Sequence, residues 1–299
     1  MRLIIYKILK LIQTRLLPDE LYSKLIFRKL LKYPLNLNDP KTLNEKLHWM
    51  KLRGPRFIDS ILVDKLAVRS FVAEKVGAKY LIPLVTSYES ELDIKQPLSE
   101  ELPLIIKPTH DSGIGAIYRN VDDHCLEDVK NRIGQRLKKN HYYSSKEYPY
   151  RNLRPKVIVE RLLQDKQGRI PDDFKFHYFN GNLEFIYCSI DREGDDARHI
   201  YDVNWCRQSF SWGKDPAKFL KGDQDIPEPR NFQEMLKVSK ILATGFPYVR
   251  VDLYNVDGQV FFGEMTFFQG SGFDRILPFE KDVELGRLVN LDKLSDLES

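Results

Sequence analysis

Hydrophobic positions recur every three or four residues from Met1 to Lys32, with lysines and arginines between them, and the run is interrupted at Pro18. The spacing predicts helix on both sides of that proline, the second starting at Asp19-Glu20, where acidic residues suit a helix N-terminus. A connector rich in Asn and Pro follows. TLNEKLHWMKL then predicts a helix with Thr42 as N-cap and Glu45 three positions on, a capping box. A further helix is expected over 59–76, closed by Gly77, with Asp64, Lys65 and Arg69 on or near one face. The pattern then changes period. Two apolar runs flank the polar loop of LPLIIKPTHDSGIGAIYRN, a helix is expected over about 125–139, and KVIVERLL reads as a β-branched strand. FKFHYFNG and LEFIYCSIDRE predict a hairpin across Asn180-Gly181. A helix over about 231–243 leads into YVRVDLYNVDGQVFFGEMTFF, a last hairpin. The class is α+β, with antiparallel pairs dominating the second half.

Charge adds one feature to this picture. The net charge is only +4, but residues 1–33 hold eight Lys and Arg against Asp19 and Glu20, so that segment is +6 and the rest −2. Such a basic amphipathic segment suits either an anionic membrane surface or packing against the body with solvated lysines. No basic domain with base-reading motifs accompanies it, so nucleic acid is not expected as a partner. Cys125, Cys188 and Cys206 are scattered without CxxC spacing, which argues against zinc or a disulfide framework and for a reducing compartment. Lys7 and Lys10 interrupt any signal-peptide core, and no apolar run approaches the roughly 20 residues that span a bilayer. The expected location is cytoplasmic, with peripheral contact at the inner face of the membrane through residues 1–32.

Two stretches carry candidate chemistry. At the first, an apolar strand delivers Lys107 into a small-residue loop, as a phosphate-binding strand would and as a lysine capping a hairpin also would. At the second, Val249, Val251 and Leu253 alternate with Arg250, Asp252 and Tyr254, and the returning strand carries Glu264 and Thr266. A two-residue Asp257-Gly258 turn pairs Asp252 with Gly263 and turns Glu264 to the other face. A three-residue loop with Gly258 in a bulge sets Asp252 diagonal to Glu264 on one face. In the second register two carboxylates and Thr266 converge, a donor set suited to Mg²⁺ beside phosphate. Arg250 would point the same way and contact a phosphoryl or acyl oxygen. The tyrosine-rich HYYSSKEYPYRN segment is expected to pack near a lid, and the scattered histidines to be structural.

LIIKPTHDSGIGA, VIVERLL and VRVDLY…FFGEMTF, in that order, resemble the ATP-grasp superfamily. With TLNEKLHWMKL, DKLAVR, VGAKYLIPL, DFKFHYFNG, Asp191-Arg192 and GFPYVRVDLYN, the chain resembles its TupA-like, teichuronopeptide-biosynthesis branch over roughly residues 40–290. The resemblance implies two α+β subdomains whose antiparallel sheets grip ATP, preceded by an N-terminal helical segment: 1–57, 58–163 and 164–299. It implies that Lys107 holds the α- and β-phosphates, with Lys65 as an earlier nucleotide lysine. The loop of His110, Asp111, Ser112, Gly113 and Gly115 would fold over the triphosphate. Glu160 and the backbone of Arg161, Leu162 and Leu163 would line the adenine. Asp252 and Glu264 would bind Mg²⁺, with Thr266 where many members carry Asn. Arg250 would meet the transferred phosphate, with Lys175 and Arg192 completing the catalytic set. Lys175 also fits a solvated strand position, and Arg192 a surface turn. The implied activity is ADP-forming carboxylate–amine ligation through an acyl phosphate. The implied partners are an amino acid as amine and a uronate-containing glycan of capsular, O-antigen or teichuronopeptide type, or its lipid-linked precursor. A kinase, a glycosyltransferase-like enzyme and a non-catalytic nucleotide-binding scaffold are the alternatives. No DxD stands at a strand end to hold a nucleotide sugar, and intact Lys107, Arg250, Asp252 and Glu264 argue against the scaffold.

Overall fold

The computed structural model describes residues 14–54, 58, 60–111, 115–190, 197–214, 225–292 and 294. Helix α1 (Asp19–Leu31) opens with its two acidic residues and closes with Arg28 and Lys29, an arrangement that complements the helix dipole. It packs through Phe27 and Leu31 on Leu35 and Leu37, while Leu21, Leu25 and Leu30 stay exposed. Helix α2 (Leu43–Leu52) has the expected capping box of Thr42 and Glu45. The single helix expected over 59–76 is instead a 3₁₀ turn (Ser60–Val63) followed by α3 (Val68–Lys75). Asp64 is the cause. Its Oδ1 accepts the N–H groups of Leu66 and Ala67, both at 2.9 Å, which starts α3 afresh and turns Lys65 inward.

The first sheet has four antiparallel strands in the order β1-β4-β2-β3: β1 (Leu84–Tyr88), β2 (Leu104–Pro108), β3 (Ala116–Tyr118) and β4 (Val157–Arg161). Alternation divides β2 between two faces. Leu104 and Ile106 join the core under helix α4 (Leu126–Leu137), and Ile105 and Lys107 face the other way. The short α5 (Tyr142–Ser145) lies in the tyrosine-rich segment, where Tyr142 is buried and bonded to Asp19. That segment ties α1 to the body through Tyr142–Asp19 and Tyr22–Ser144 contacts.

The second sheet has five antiparallel strands in the order β10-β9-β5-β6-β7. They are β5 (Asp173–Phe179), β6 (Asn182–Ile190), β7 (Ala197–Tyr201), β9 (Tyr248–Val256) and β10 (Gln259–Thr266). Phe174, Phe176, Val249, Val251 and Leu253 build the largest core on one face, together with Met235, Val238 and Leu242 of α6 (Phe232–Ala243). β8 (Ser211–Gly213) and β11 (Arg275–Leu277) pair apart from these, ahead of α7 (Phe279–Leu288). β7, β8, β11 and α7 had no counterpart in the sequence reading. Cys125, Cys188 and Cys206 are all free thiols. His48 and His177 are fully buried and structural: His48 pairs with the Gly272 carbonyl at 3.2 Å, and His177 Nδ1 with the Tyr248 hydroxyl at 3.1 Å.

Candidate active site

The polar faces of the two large sheets line one cavity of about 590 Å³. From the first sheet come Lys107 on β2 and Glu160 on β4. Their strands are registered Ile105↔Glu160 and Lys107↔Ile158, which sets the two side chains diagonally on one face. Lys107 Nζ lies 2.8 Å from Glu160 Oε2, and Arg69 Nη1 lies 3.0 Å from Oε1. The carboxylate is 5 % exposed, and two cations balance its burial. The chain then runs on along the cavity wall through Arg161, Leu162 and Leu163. Arg161 turns its guanidinium away, to the carbonyl of Glu101.

The second sheet supplies a ladder. Lys175 on β5 pairs with Asp252 on β9, which pairs with Glu264 on β10, so three charged side chains lie in one row. Asp252 and Glu264 therefore share a face, but through neither register expected from the sequence. The turn is the two-residue one, with Asp257 and Gly258 both at positive φ, and pairing begins as Gln259↔Val256. A bulge at Gly263 then shifts the register by one, bringing Glu264 opposite Asp252. A Cβ on Gly263 would lie 3.1 Å from the Tyr254 ring and 3.2 Å from the Asp252 carbonyl, so the bulge closes tightly only around glycine.

Arg250 joins this row from one turn of the pleat away. Its Nε and Nη2 donate to the two Asp252 oxygens, each at 2.6 Å, and Nη2 also donates to Glu264 Oε1 at 2.7 Å. Nη1 donates to Gln269 Oε1. Lys175 bonds Asp173 and lies 3.9 Å from Asp252. Lys65 donates to the Asp111 carbonyl at 2.9 Å and lies 3.4 Å from Glu264 Oε2. Thr266 Oγ1 donates to Glu264 Oε1 at 3.4 Å.

Burial affects the two carboxylates differently. It pushes the Asp252 carboxyl up to about 6, against Arg250 and Lys175, which favour its charge. Burial also acts to raise Glu264, but Lys65, Arg250 and Lys175 outweigh it and hold this carboxyl at about 2. Arg250 itself is disfavoured by burial and more than restored by Asp252 and Glu264.

Lys65, Lys107, Asp111, Glu160, Arg161, Leu162, Leu163, Lys175, Arg250, Asp252 and Glu264 all border this cavity. Thr266 meets it only through Glu264. His110 lies behind the wall, buried, with Nε2 bonded to the Lys139 carbonyl at 2.8 Å. The Asp111 carboxylate likewise turns outward to Arg136. Gly115 is needed for a reason local to the fold: a Cβ there would stand 2.2 Å from the Ile106 carbonyl oxygen. Ser112, Gly113 and Arg192 lie outside the described residues.

The sequence reading missed Arg69 as a partner of Glu160, and Asp173 and Gln269 as members of the charged row. Asp173 had a signal, since it stands two residues before Lys175 on an alternating strand. Gln269 had none, because a turn after the strand returns it to the site.

The donor set fits a hard divalent cation. Two carboxylates face each other across β9 and β10 with a hydroxyl beside them, and the buried Oδ1 of Asp173 has no hydrogen-bond partner. Arg250 spans the two carboxylates. Among the described residues, no three His, Cys, Asp or Glu side chains are gathered as a ready metal cage.

The TupA-like ATP-grasp family model matches residues 45–290. No curated protein matches the chain. Similar solved structures include the D-alanine–D-alanine ligase from Bacillus anthracis complexed with ATP, 13% identical over 78% of this chain and 63% of that one, TM-score 0.43. The L-amino acid ligase from Bacillus licheniformis is 14% identical over 85% and 56%, TM-score 0.42. The D-alanine–D-alanine ligase from Helicobacter pylori is 14% identical over 83% and 68%, TM-score 0.43. The chain thus spans less than two thirds of the length of the first two. The match takes in α2 from Glu45 onward, the lysine strand and the arginine–carboxylate hairpin in a single span, and on that extent the chain belongs to the TupA-like ATP-grasp family.

Proposed function

We propose that this protein is an ATP-dependent, ADP-forming carboxylate–amine ligase working through an acyl phosphate. The observation that carries the reading is the cavity itself. One wall presents Lys107 and Lys65, the other presents Arg250 beside a facing pair of carboxylates, and apolar side chains including Ile82, Ile105 and Ile117 form the rest. A nucleoside triphosphate needs these three things together: an apolar slot for its base, cations for its phosphates, and carboxylates for its metal.

Asp252 and Glu264 would hold Mg²⁺, with the Thr266 hydroxyl orienting Glu264. An ion held there would supply charge neutralisation for the phosphates. Lys107 would fix the inner phosphates as a point charge, and Lys65 would neutralise the outer ones. The Arg250 guanidinium would stabilise charge on the phosphoryl as it moves to the substrate carboxylate, giving an acyl phosphate and ADP. The amine would then attack the carbonyl carbon. The C–O bond to phosphate breaks, phosphate leaves with one former carboxylate oxygen, and the amine loses a proton. The ion pairs hold the reacting groups in place, so no covalent enzyme nucleophile is required.

Family membership favours a uronic acid of a surface polysaccharide, or its lipid-linked precursor, as the acid, with an amino acid as the amine. Two sheets, one built within 84–161 and the other within 173–266, support a division of the chain near 163/164. Among the described residues no helix is long and apolar enough to cross a membrane. The exposed Leu21, Leu25 and Leu30 on a basic helix support contact with an anionic inner leaflet. The deciding experiment is hydroxylamine trapping with ATP and candidate uronates or amino acids. Hydroxamate and ADP in equal amounts are expected. A stable phosphorylated sugar formed without any amine would replace the ligase with a kinase.

A further inference from the structure

Arg250 makes four hydrogen bonds, and three of them go to the carboxylates that would hold the metal. A divalent ion held by Asp252 and Glu264 would compete with this guanidinium for the same oxygens. The fourth bond, to Gln269, does not compete. Gln269 is itself buried, in a turn with Gly270 and Ser271 at positive φ.

That turn is fixed from the far side by one face of α2. Asn44 Nδ2 donates to the Asp274 carbonyl at 3.1 Å, His48 Nε2 pairs with the Gly272 carbonyl at 3.2 Å, and Lys51 Nζ donates to the Ser271 carbonyl at 2.6 Å. The three side chains are four and three residues apart and stack along the helix. Lys51 also reaches the Ser145 carbonyl at 2.7 Å, and the Ser271 hydroxyl donates to Glu147 at 2.6 Å. Gln269 therefore belongs to a rigid block, whereas Asp252 and Glu264 are ligands that must change partners.

We propose that the Arg250 guanidinium is a resident counter-cation, exchanged for the metal ion when nucleotide binds, and that Gln269 is the positioning residue that keeps the released arginine at the site. This rests on the nucleotide reading above. Without Arg250, the facing carboxylates would keep only Lys65, 3.4 Å from Glu264, and Lys175, 3.9 Å from Asp252, and would lose the one cation that bridges them. With Arg250 in place, free metal meets a pair already neutralised in part, so metal and nucleotide should enter together. Once the carboxylates turn to the metal, the Gln269 bond is the one of the four that persists.

The test uses Mn²⁺ as a paramagnetic probe, read from the loss of its free-ion signal, with and without ADP. Wild-type protein should bind Mn²⁺ alone weakly and Mn²⁺ with ADP strongly. Arg250→Met should bind Mn²⁺ alone about tenfold tighter or more than wild type, and Mn²⁺ alone should raise its melting temperature. If that variant folds only with metal, Arg250→Lys serves as the comparison; it keeps one charge but cannot bridge both carboxylates, and intermediate affinity is expected. Gln269→Leu should weaken Mn²⁺–ADP binding about tenfold, the scale of one charge-assisted hydrogen bond, and should have no such effect in the Arg250→Met background. A folded Arg250→Met or Arg250→Lys binding Mn²⁺ alone no better than wild type overturns the exchange. Equal effects of Gln269→Leu in both backgrounds overturn its role through Arg250. Wild-type protein that binds no Mn²⁺–ADP would sink the nucleotide reading, while the Arg250 comparison with Mn²⁺ alone still tests the exchange.

Discussion

Replacing Lys107 by Met removes one charge and keeps most of the side chain's length, so it separates the phosphate contact from packing. Lys107 Nζ lies 2.8 Å from Glu160 Oε2, and its side chain is 17% exposed. At an effective dielectric of about 20 the gross attraction is about 6 kcal/mol, most of it offset by desolvation of the two ions. Breaking a buried pair by removing one partner costs about 3–5 kcal/mol when the other charge is left alone. Glu160 is not left alone, because Arg69 remains 3.0 Å from its other oxygen. The stability loss should therefore fall below that range, at about 1–2 kcal/mol, and the variant should fold. The nucleotide loses a charge-assisted contact of about 1.5–3 kcal/mol, a weakening of roughly 10- to 150-fold. Calorimetric titration with ATP and Mg²⁺ reads the binding, and urea denaturation reads the stability. A folded Lys107→Met protein with ATP affinity within about twofold of wild type would refute the phosphate assignment.

Other expectations follow from local geometry. Gly115→Ala puts a Cβ 2.2 Å from the Ile106 carbonyl oxygen, so β2 and the loop must separate, and urea denaturation should show a loss of at least about 2 kcal/mol; an unchanged midpoint would contradict the packing. Burial holds His48 and His177 well below their ordinary value. Their unfolded forms take up protons first, so their contribution to stability is complete above about pH 6.5 and lost below it, by about 2.7 kcal/mol per pH unit for the two. Denaturation midpoints flat between pH 7 and 5 would contradict this. Binding to phosphatidylglycerol vesicles, if α1 docks on membrane, should fall steeply as salt rises; salt-insensitive binding would remove electrostatics from the account.

Much of this site was legible because strand alternation is local. Ile106 and Lys107, or Val251 and Asp252, take opposite faces whatever the rest of the chain does, so the polar rows could be read from spacing alone. What could not be read was register. The Asp257-Gly258 turn pairs the hairpin in the frame that separates Asp252 from Glu264, and the bulge at Gly263 restores them to one face. A glycine inside a strand pattern was the available signal. Asp64 shows the same limit in helices, since one carboxylate oxygen capturing two N–H groups divided a helix that periodicity ran together. Gln269, Arg69 and the α2 clamp are tertiary encounters between residues far apart in sequence, beyond any local pattern.

In the proposed reaction a carboxylate is activated by phosphorylation before an amine takes its acyl group. Incubating the protein with ATP, Mg²⁺, an amine and a candidate uronate carrying ¹⁸O in its carboxylate tests it most directly. ADP, an amide, and inorganic phosphate that has gained one ¹⁸O from the acid are expected. Amide formed with unlabelled phosphate, or label retained in a phosphorylated sugar, would contradict it.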